Sequence, residues 1–364
     1  MINLIFFLPT FTYGGAGNSV FRLCKLLDKK RYKINIVSIG KCDYKKEFKS
    51  FGAKVYELET KKVSRSIFQL NILVNSIISE KFSKNIFISG IHYANIAAII
   101  ALRLIKNLKI IVVERTDIQE LTIHFNINKF IKNSLIYFLL KVLYKRADLV
   151  IANSQKAKND LQRICNIKVK KIIPPSFLGY EKVKKFKKNF YLNILTVGRL
   201  SWEKDIYTMI RAIDQIKHKN IILRILGDGN EKKKIKDYIK KYKLQKRVLL
   251  LGLKKNPKKF YLKSDLFINA SHFEGFPNAI VEAINFSLPV ICSDTRSGVR
   301  EITLDGKGGD LFKIGDYKGL AKKIVLFYQN PKHFIKKMKV ARINIKNFSI
   351  QKNVEKYDYV FKKI

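Results

Sequence analysis

Short apolar runs alternate with longer amphipathic, lysine-bearing stretches along the whole chain, and that alternation predicts strands and helices in a parallel α/β arrangement. In the first half INLIFFLP, KINIVSI, NIFISG, KIIVVE and DLVIANS read as strands; in the second, LNILTVG, IILRILG, VLLLG, DLFINAS and PVICSD do. Each ends in a polar or glycine turn and gives way to a helical stretch. Each half is therefore predicted to be a doubly wound domain that binds ligands at its strand C-termini. Between the halves, PPSFLGYEKVKKFKKNF opens with Pro174 and Pro175, which end regular structure, and continues as a basic, weakly periodic run. These signals predict a first domain over residues 1–175, a linker over 176–190 and a second domain over 191–345. A last helical segment, 346–364, returns to the first domain.

Composition changes this picture in one respect. The 364 residues suit two domains with a core each, and 47% hydrophobic content is that of a globular chain. The outlier is charge: 73 Lys and Arg against 28 Asp and Glu give a net of +45. Such a surface seeks anions: nucleic acid, anionic lipid or phosphorylated small molecules. Codon bias in an AT-rich genome also enriches lysine, but it would enrich glutamate as well, and glutamate is scarce. The four cysteines stand far apart and give no metal cage or disulfide framework. No run reaches the ~18 apolar residues that a membrane span needs. MINLIFFLPT lacks a basic leader and a cleavage site, so it reads as a buried strand of a cytosolic protein.

Candidate chemistry sits at the strand ends. In PTFTYGGAGNSVFRLCKLL, Gly14, Gly15 and Gly17 precede a helix expected to begin near Asn18. Their backbone N–H groups and the helix dipole suit a phosphate or a sugar oxygen; the alternative is a turn that merely closes a corner. The pattern is not G-x-G-x-x-G and has no ribose carboxylate, which argues against a nicotinamide cofactor. In TVGRLSWEKD, Gly198 permits a tight turn, and Arg199 and Lys204 are both able to reach one anionic group such as a diphosphate. ILGDGNEKKKIKDYI repeats the strand, turn and helix logic with Gly227 and Gly229. In HFEGFPNAIVEA, Pro277 is expected at the first helical position, Glu274 in the preceding loop and Glu282 inside the helix. The two carboxylates are placed to accept hydroxyl hydrogen bonds from a sugar and a ribose.

GRLSWEKD, LGDGNEKKKIK, SHFEGFPNAIVEAINFSLPVICSD and SGVREI, in this order and spacing, resemble the retaining GT-B glycosyltransferases of family 4, most strongly over residues 191–315. The resemblance implies a GT-B fold: two Rossmann-like domains facing a cleft. It implies a nucleotide-sugar donor, with Arg199 and Lys204 on its diphosphate, Glu282 on the ribose and Glu274 on the transferred sugar. Gly198 and Gly227 belong to the same donor site, and backbone around Gly275, Phe276, Pro277, Asn278 and Ala279 completes the phosphate cradle. Gly14 and Gly15 match the family's first glycine turn. The glutamate that often follows is Gly17 here, which leaves contacts at that corner open. His92 matches a histidine set near the donor sugar, or is structural. No D-x-D element is present, in keeping with a metal-independent site with no cofactor.

ERTDIQE, with Glu114, Arg115, Thr116 and Asp117, looks like the family's acceptor-side loop, or is a solvated charged loop. The following segment carries an apolar stripe at Ile131, Leu135, Phe138 and Val142 among lysines. Core packing is its first explanation, and a helix lying on an anionic membrane its second. The leading expectation is a transferase moving a hexose or acetamido-hexose, UDP-linked, to a polyprenyl-linked or glycolipid acceptor at the cytosolic face of the membrane. A nucleotide-sugar epimerase of GT-B shape and a basic nucleic-acid-binding protein are the alternatives; no RNP, helix-turn-helix or zinc pattern supports the last.

Overall fold

The computed structural model describes residues 1–60, 63–123, 127–173, 176–177, 179–183, 190–218 and 220–364. The chain divides into two compact units, Met1–Pro175 with Ile350–Ile364, and Ser176–Ser349. Pro174, Pro175 and most of the basic run expected to form a linker lie outside the described residues.

Among the described residues the first unit holds seven strands, β1 Ile2–Leu8, β2 Tyr32–Ser38, β3 Lys54–Glu57, β4 Lys84–Gly90, β5 Leu108–Glu114, β6 Leu149–Ala152 and β7 Val169–Lys171. They form one sheet in the order β3-β2-β1-β4-β5-β6-β7, and every pairing is parallel. The second unit holds β8 Leu192–Val197, β9 Ile221–Leu226, β10 Val248–Gly252, β11 Leu266–Asn269, β12 Val290–Ser293 and β13 Asp310–Phe312, in the parallel order β10-β9-β8-β11-β12-β13. Both are doubly wound Rossmann-like sheets, and together they make the GT-B fold. In each, the winding reverses between the first and the fourth strand of the unit. That switch point opens a crevice at the strand C-termini where ligands bind.

Burial explains why the strands read as continuous apolar runs. In β1, Leu4, Phe6 and Leu8 enter one buried cluster while Ile5 and Phe7 enter another on the opposite face. A strand covered by helices on both sides needs apolar residues at every position. The predicted runs all lie on strands. The three strands not expected, β3, β7 and β13, stand at sheet edges and are short, and β3 and β7 are only partly buried.

The C-terminal helix Ile350–Lys363 belongs to the first unit. Its Tyr357, Val360 and Phe361 join the cluster containing Phe6 and Tyr32, and the Phe361 ring meets theirs edge-on at 6.4 and 5.9 Å. The Tyr32 hydroxyl donates to Asp358 Oδ1 at 2.7 Å. We predict that Phe361→Ala lowers the unfolding free energy of the chain by about 3–4 kcal/mol in urea titrations followed by circular dichroism. A loss below about 1 kcal/mol would mean that the helix does not contribute to this core.

Candidate active site

In the second unit the loops after β8 and β11 flank the switch point. The β8 loop begins at Gly198 and passes Arg199, and a short turn Trp202–Lys204 leads to the helix Ile206–Gln215. Asp205 caps that helix from a left-handed conformation, accepting from Thr208 N at 3.1 Å and Thr208 Oγ1 at 2.7 Å. The Lys204 ammonium donates to Glu274 Oε1, in the β11 loop, at 2.7 Å. The same oxygen accepts from Ser271 Oγ at 2.7 Å and Asn269 Nδ2 at 3.2 Å. Glu274 is buried, and burial alone would raise its pKa. The Lys204 charge and hydrogen bond, followed by the Ser271 and Asn269 donors, outweigh that effect and hold the carboxyl below the usual range. All three donors converge on Oε1, and Oε2 is left without a described partner.

Arg199 is exposed and makes no described side-chain hydrogen bond or ion pair. The same loop thus carries an exposed guanidinium with no described partner and the paired Lys204 ammonium. The β8 and β9 loops touch through backbone. Gly227 has φ +150°, and a Cβ there would lie 1.8 Å from the Gly198 carbonyl oxygen; one at Gly229 would lie 2.3 Å from that of Leu200. Leu200 N also donates to Asp228 O at 2.9 Å. Glycine is needed here for close approach, which fixes the track on which Arg199 is carried.

The β11 loop runs His272–Pro277 into the helix Asn278–Asn285; Pro277, expected at the first helical position, is the N-cap instead, and the helix starts one residue later. Gly275 O accepts from Gly298 N at 3.1 Å, and a Cβ at Gly298 would sit 2.5 Å from that oxygen. Phe276 is buried edge-on against Phe348 at 5.2 Å. Asn278 Oδ1 accepts from Ser176 Oγ at 2.8 Å, and Ala279 follows in the first turn, whose N–H groups point out of the helix start. Glu282, half-buried one turn on, accepts from the Tyr261 hydroxyl at 2.9 Å. The Tyr261 ring is buried and stacked on Phe286 at 5.0 Å.

The first unit has its own strand-end cluster. Gly14, φ +154°, caps the helix Gly15–Leu26, which starts three residues before the expected Asn18, and its N–H donates to Asn18 Oδ1 at 3.3 Å. A Cβ at Gly17 would lie 2.5 Å from the Thr12 carbonyl oxygen. The backbone therefore leaves no room for a side chain where the family often has glutamate. Ile91 follows β4 with φ +79°, a strained conformation for a β-branched residue, and starts the helix His92–Leu102. His92 Nδ1 lies 3.1 Å from Thr116 Oγ1, which donates to Glu114 Oε1 at 2.8 Å. Burial lowers the His92 pKa, but the Glu114 carboxylate outweighs it and the group is raised.

Glu114 is not presented to solvent. It is wholly buried and accepts from Arg115 N, Thr116 N, Thr116 Oγ1 and the Tyr144 hydroxyl at 2.8–3.2 Å. Asp117 is buried too, with Oδ1 bonded to Gln119 N at 3.0 Å and Lys156 Nζ at 2.9 Å. Arg115 threads past Gly90, and its Nε is buried without a partner. The segment expected to be a charged loop is thus mostly internal wiring that holds His92 and Thr116. Among the described residues, no cluster of three or more His, Cys, Asp or Glu is placed to hold a metal ion.

Four supporting residues escaped the sequence reading. Asn269 and Ser271 carry a legible signal, two polar side chains at alternate positions ending a buried strand. Asp205 and Tyr261 do not: one acts through a left-handed cap, the other through a contact made only in the folded unit.

Residues 13–175 match the family model described as Glycosyltransferase Family 4, and residues 181–347 that described as Glycosyl transferases group 1. With the fold, these matches place the chain among the GT-B glycosyltransferases. One relative, the N-acetylgalactosamine-N,N'-diacetylbacillosaminyl-diphospho-undecaprenol 4-alpha-N-acetylgalactosaminyltransferase of Campylobacter jejuni, is 34% identical over 55% of this chain and 56% of its own. A second, the GalNAc-alpha-(1->4)-GalNAc-alpha-(1->3)-diNAcBac-PP-undecaprenol alpha-1,4-N-acetyl-D-galactosaminyltransferase of the same organism, is 26% identical over 96% and 95%. Several of the similar relatives are matched over only about half of their length. Among solved structures, that of Anabaena Alr3699/HepE in complex with UDP-glucose superimposes with a TM-score of 0.79 at 18% identity, covering 100% of both chains. At that identity the likeness bears on the fold.

The Lys204–Glu274 pair yields a test by pH. The folded-state pKa of Glu274 lies below its unfolded value, so the pair's stabilisation is complete above the unfolded pKa and is lost as pH falls through the folded one. Lys204→Met is expected to cost about 3 kcal/mol near pH 7, because it leaves a buried carboxylate unpaired. The deficit should shrink as pH drops below about 4. A deficit independent of pH in urea titrations would show that Glu274 does not depend on Lys204.

Proposed function

We propose that the chain is a retaining glycosyltransferase that moves a hexose or N-acetylhexosamine from a UDP-linked donor to a lipid-linked or polysaccharide acceptor in cell-surface glycan assembly. The observation that carries the reading is that the loop after β8, at the switch point of the second unit, holds both an exposed Arg199 with no described partner and Lys204 paired with Glu274, whose own loop leads into the helix that bears Glu282. Breaking the anomeric bond leaves negative charge on the diphosphate and positive character on the sugar. Cations fixed there stabilise the transition state more than the ground state.

In this reading Arg199 forks onto the diphosphate and Lys204, already oriented by Glu274, supplies a point charge. The Glu274 oxygen without a described partner accepts from a sugar hydroxyl, and Glu282, held by Tyr261, accepts from the ribose. Backbone from Gly275 to Ala279 lines the phosphates, with Pro277 contributing no N–H. Gly198 and Gly227 give the close backbone approach, and Gly14 and Gly15 a second glycine corner. The leaving phosphate takes the acceptor proton on the same face, so that neither an enzymic nucleophile nor a metal is required. His92, Arg115 and Thr116 are assigned to the sugar and acceptor side, with Glu114 and Asp117 behind them.

The names of the two Campylobacter relatives, which specify undecaprenol-linked glycans, support a polyprenyl-linked acceptor; with such an acceptor the chain works at the cytosolic face of the membrane. No observation favours epimerisation or nucleic-acid binding.

Arg199→Ala and Lys204→Ala are each expected to lower kcat by about 10²-fold, while Glu282→Ala chiefly abolishes the thermal shift given by UDP-sugars. Radiolabelled transfer to a polyprenyl-diphosphate glycan reads the first, and thermal melts with a panel of UDP-, GDP- and ADP-sugars read the second. If no nucleotide sugar stabilises the wild type, the donor assignment fails. Epimerised donor formed without acceptor would transfer the site to another reaction.

A further inference from the structure

The helix Ile127–Leu143 contradicts the first explanation of its apolar stripe. Ile131, Leu135, Phe138 and Val142 do not enter the core. Together with Ile127 and Phe130 they are 40–71% exposed along the outer side of the helix. Its inner side is made by buried Asn133 and Leu140, with Ile136, Tyr137, Leu139 and Leu143 packed in part on the core. The helix is therefore apolar on both faces. Residues 127–147 contain no Asp or Glu but include Lys129, Lys132, Lys141, Lys145 and Arg146. Among the described residues no helix is long and apolar enough to cross a membrane.

We propose that this outward face docks on an anionic lipid bilayer, with the helix lying in the interface. Aliphatic and aromatic side chains enter the boundary between headgroups and acyl chains, while lysine stems lie along it and carry their ammonium groups to the lipid phosphates. Charge selects this occupant. A second copy of the chain, docked through the same face about a two-fold axis, would set basic helices against each other with no acid between them. A nucleic acid would engage the lysines but gain nothing from six exposed apolar side chains. The proposal rests on the reading above for its purpose, holding the chain where a lipid-linked acceptor is. Its test uses neither donor nor acceptor, so the two fail separately.

The full chain is floated with vesicles of phosphatidylcholine alone or mixed with phosphatidylglycerol. Wild type is expected to float with the anionic vesicles, not with the neutral ones, and to be released by salt. The triple variant Ile131→Ser, Leu135→Ser, Phe138→Ser should lower the partition coefficient at least about tenfold. Lys132→Glu with Lys141→Glu and Lys145→Glu should do the same. Both should keep the melting temperature, since all six positions are exposed. Should a variant fold poorly, Leu135→Trp gives an independent readout: its added fluorescence should shift to the blue with anionic vesicles only. The proposal is overturned by a wild type that ignores anionic vesicles, by a triple-serine variant that partitions like wild type, or by an unshifted tryptophan. Light scattering that finds a dimer dissolved by the serine substitutions would assign the face to a second copy instead.

Discussion

The ion pair between Lys204 and Glu274 closes the edge of the second sheet where the fold leaves it open. At the switch point the segments after β8 and β11 leave their strands toward opposite faces; a backbone hydrogen bond from His272 N to Glu203 O at 2.8 Å and the Lys204–Glu274 ion pair bridge them. A buried carboxylate is costly unless it is paired and hydrogen-bonded. Here Lys204, Ser271 and Asn269 meet that requirement together. The consequence is an ammonium held in one place on the same loop as Arg199, which is exposed and has no described partner. Such fixed charge needs little reorganisation when an anion arrives, which is the property that favours charge development in a transition state.

The first unit solves a similar problem with different residues. Glu114 is buried at the end of β5 and uses its oxygens on backbone N–H groups, Thr116 and Tyr144; through Thr116 it fixes His92. In both units an inner carboxylate orients a basic group at the ligand edge. One result is an ammonium fixed in place, the other an imidazole whose proton affinity is raised by its neighbour. The positive φ of Ile91 adds local strain at the second site, and such strain persists where the surrounding structure over-determines a functional geometry.

The long strands and the strand-end motifs were legible in the sequence because burial on two faces demands uninterrupted apolar runs and close backbone contacts demand glycine. Edge strands β3, β7 and β13 were not: strands of three or four residues carry no such run, and β3 and β7 are only partly covered. The glutamates stood out by residue type, but what holds them, Tyr261 on Glu282 and Tyr144 on Glu114, comes from distant segments. ERTDIQE read as a charged loop because a sequence shows charge and not burial. The stripe on Ile127–Leu143 shows the opposite ambiguity: periodicity reveals that a helix has an apolar face, and only the fold shows which way that face is turned.

The central claim is that Arg199 and the oriented Lys204 grip a diphosphate while Glu282 holds the sugar of the nucleoside. Calorimetric titration of wild type, Arg199→Ala and Glu282→Ala with UDP and with uridine separates these contributions. The account predicts that wild type prefers UDP to uridine by about 100-fold or more, that Arg199→Ala loses most of that preference, and that Glu282→Ala weakens both ligands by a similar factor. A wild-type preference that survives in Arg199→Ala, or a Glu282→Ala variant that binds both ligands as wild type does, would contradict it.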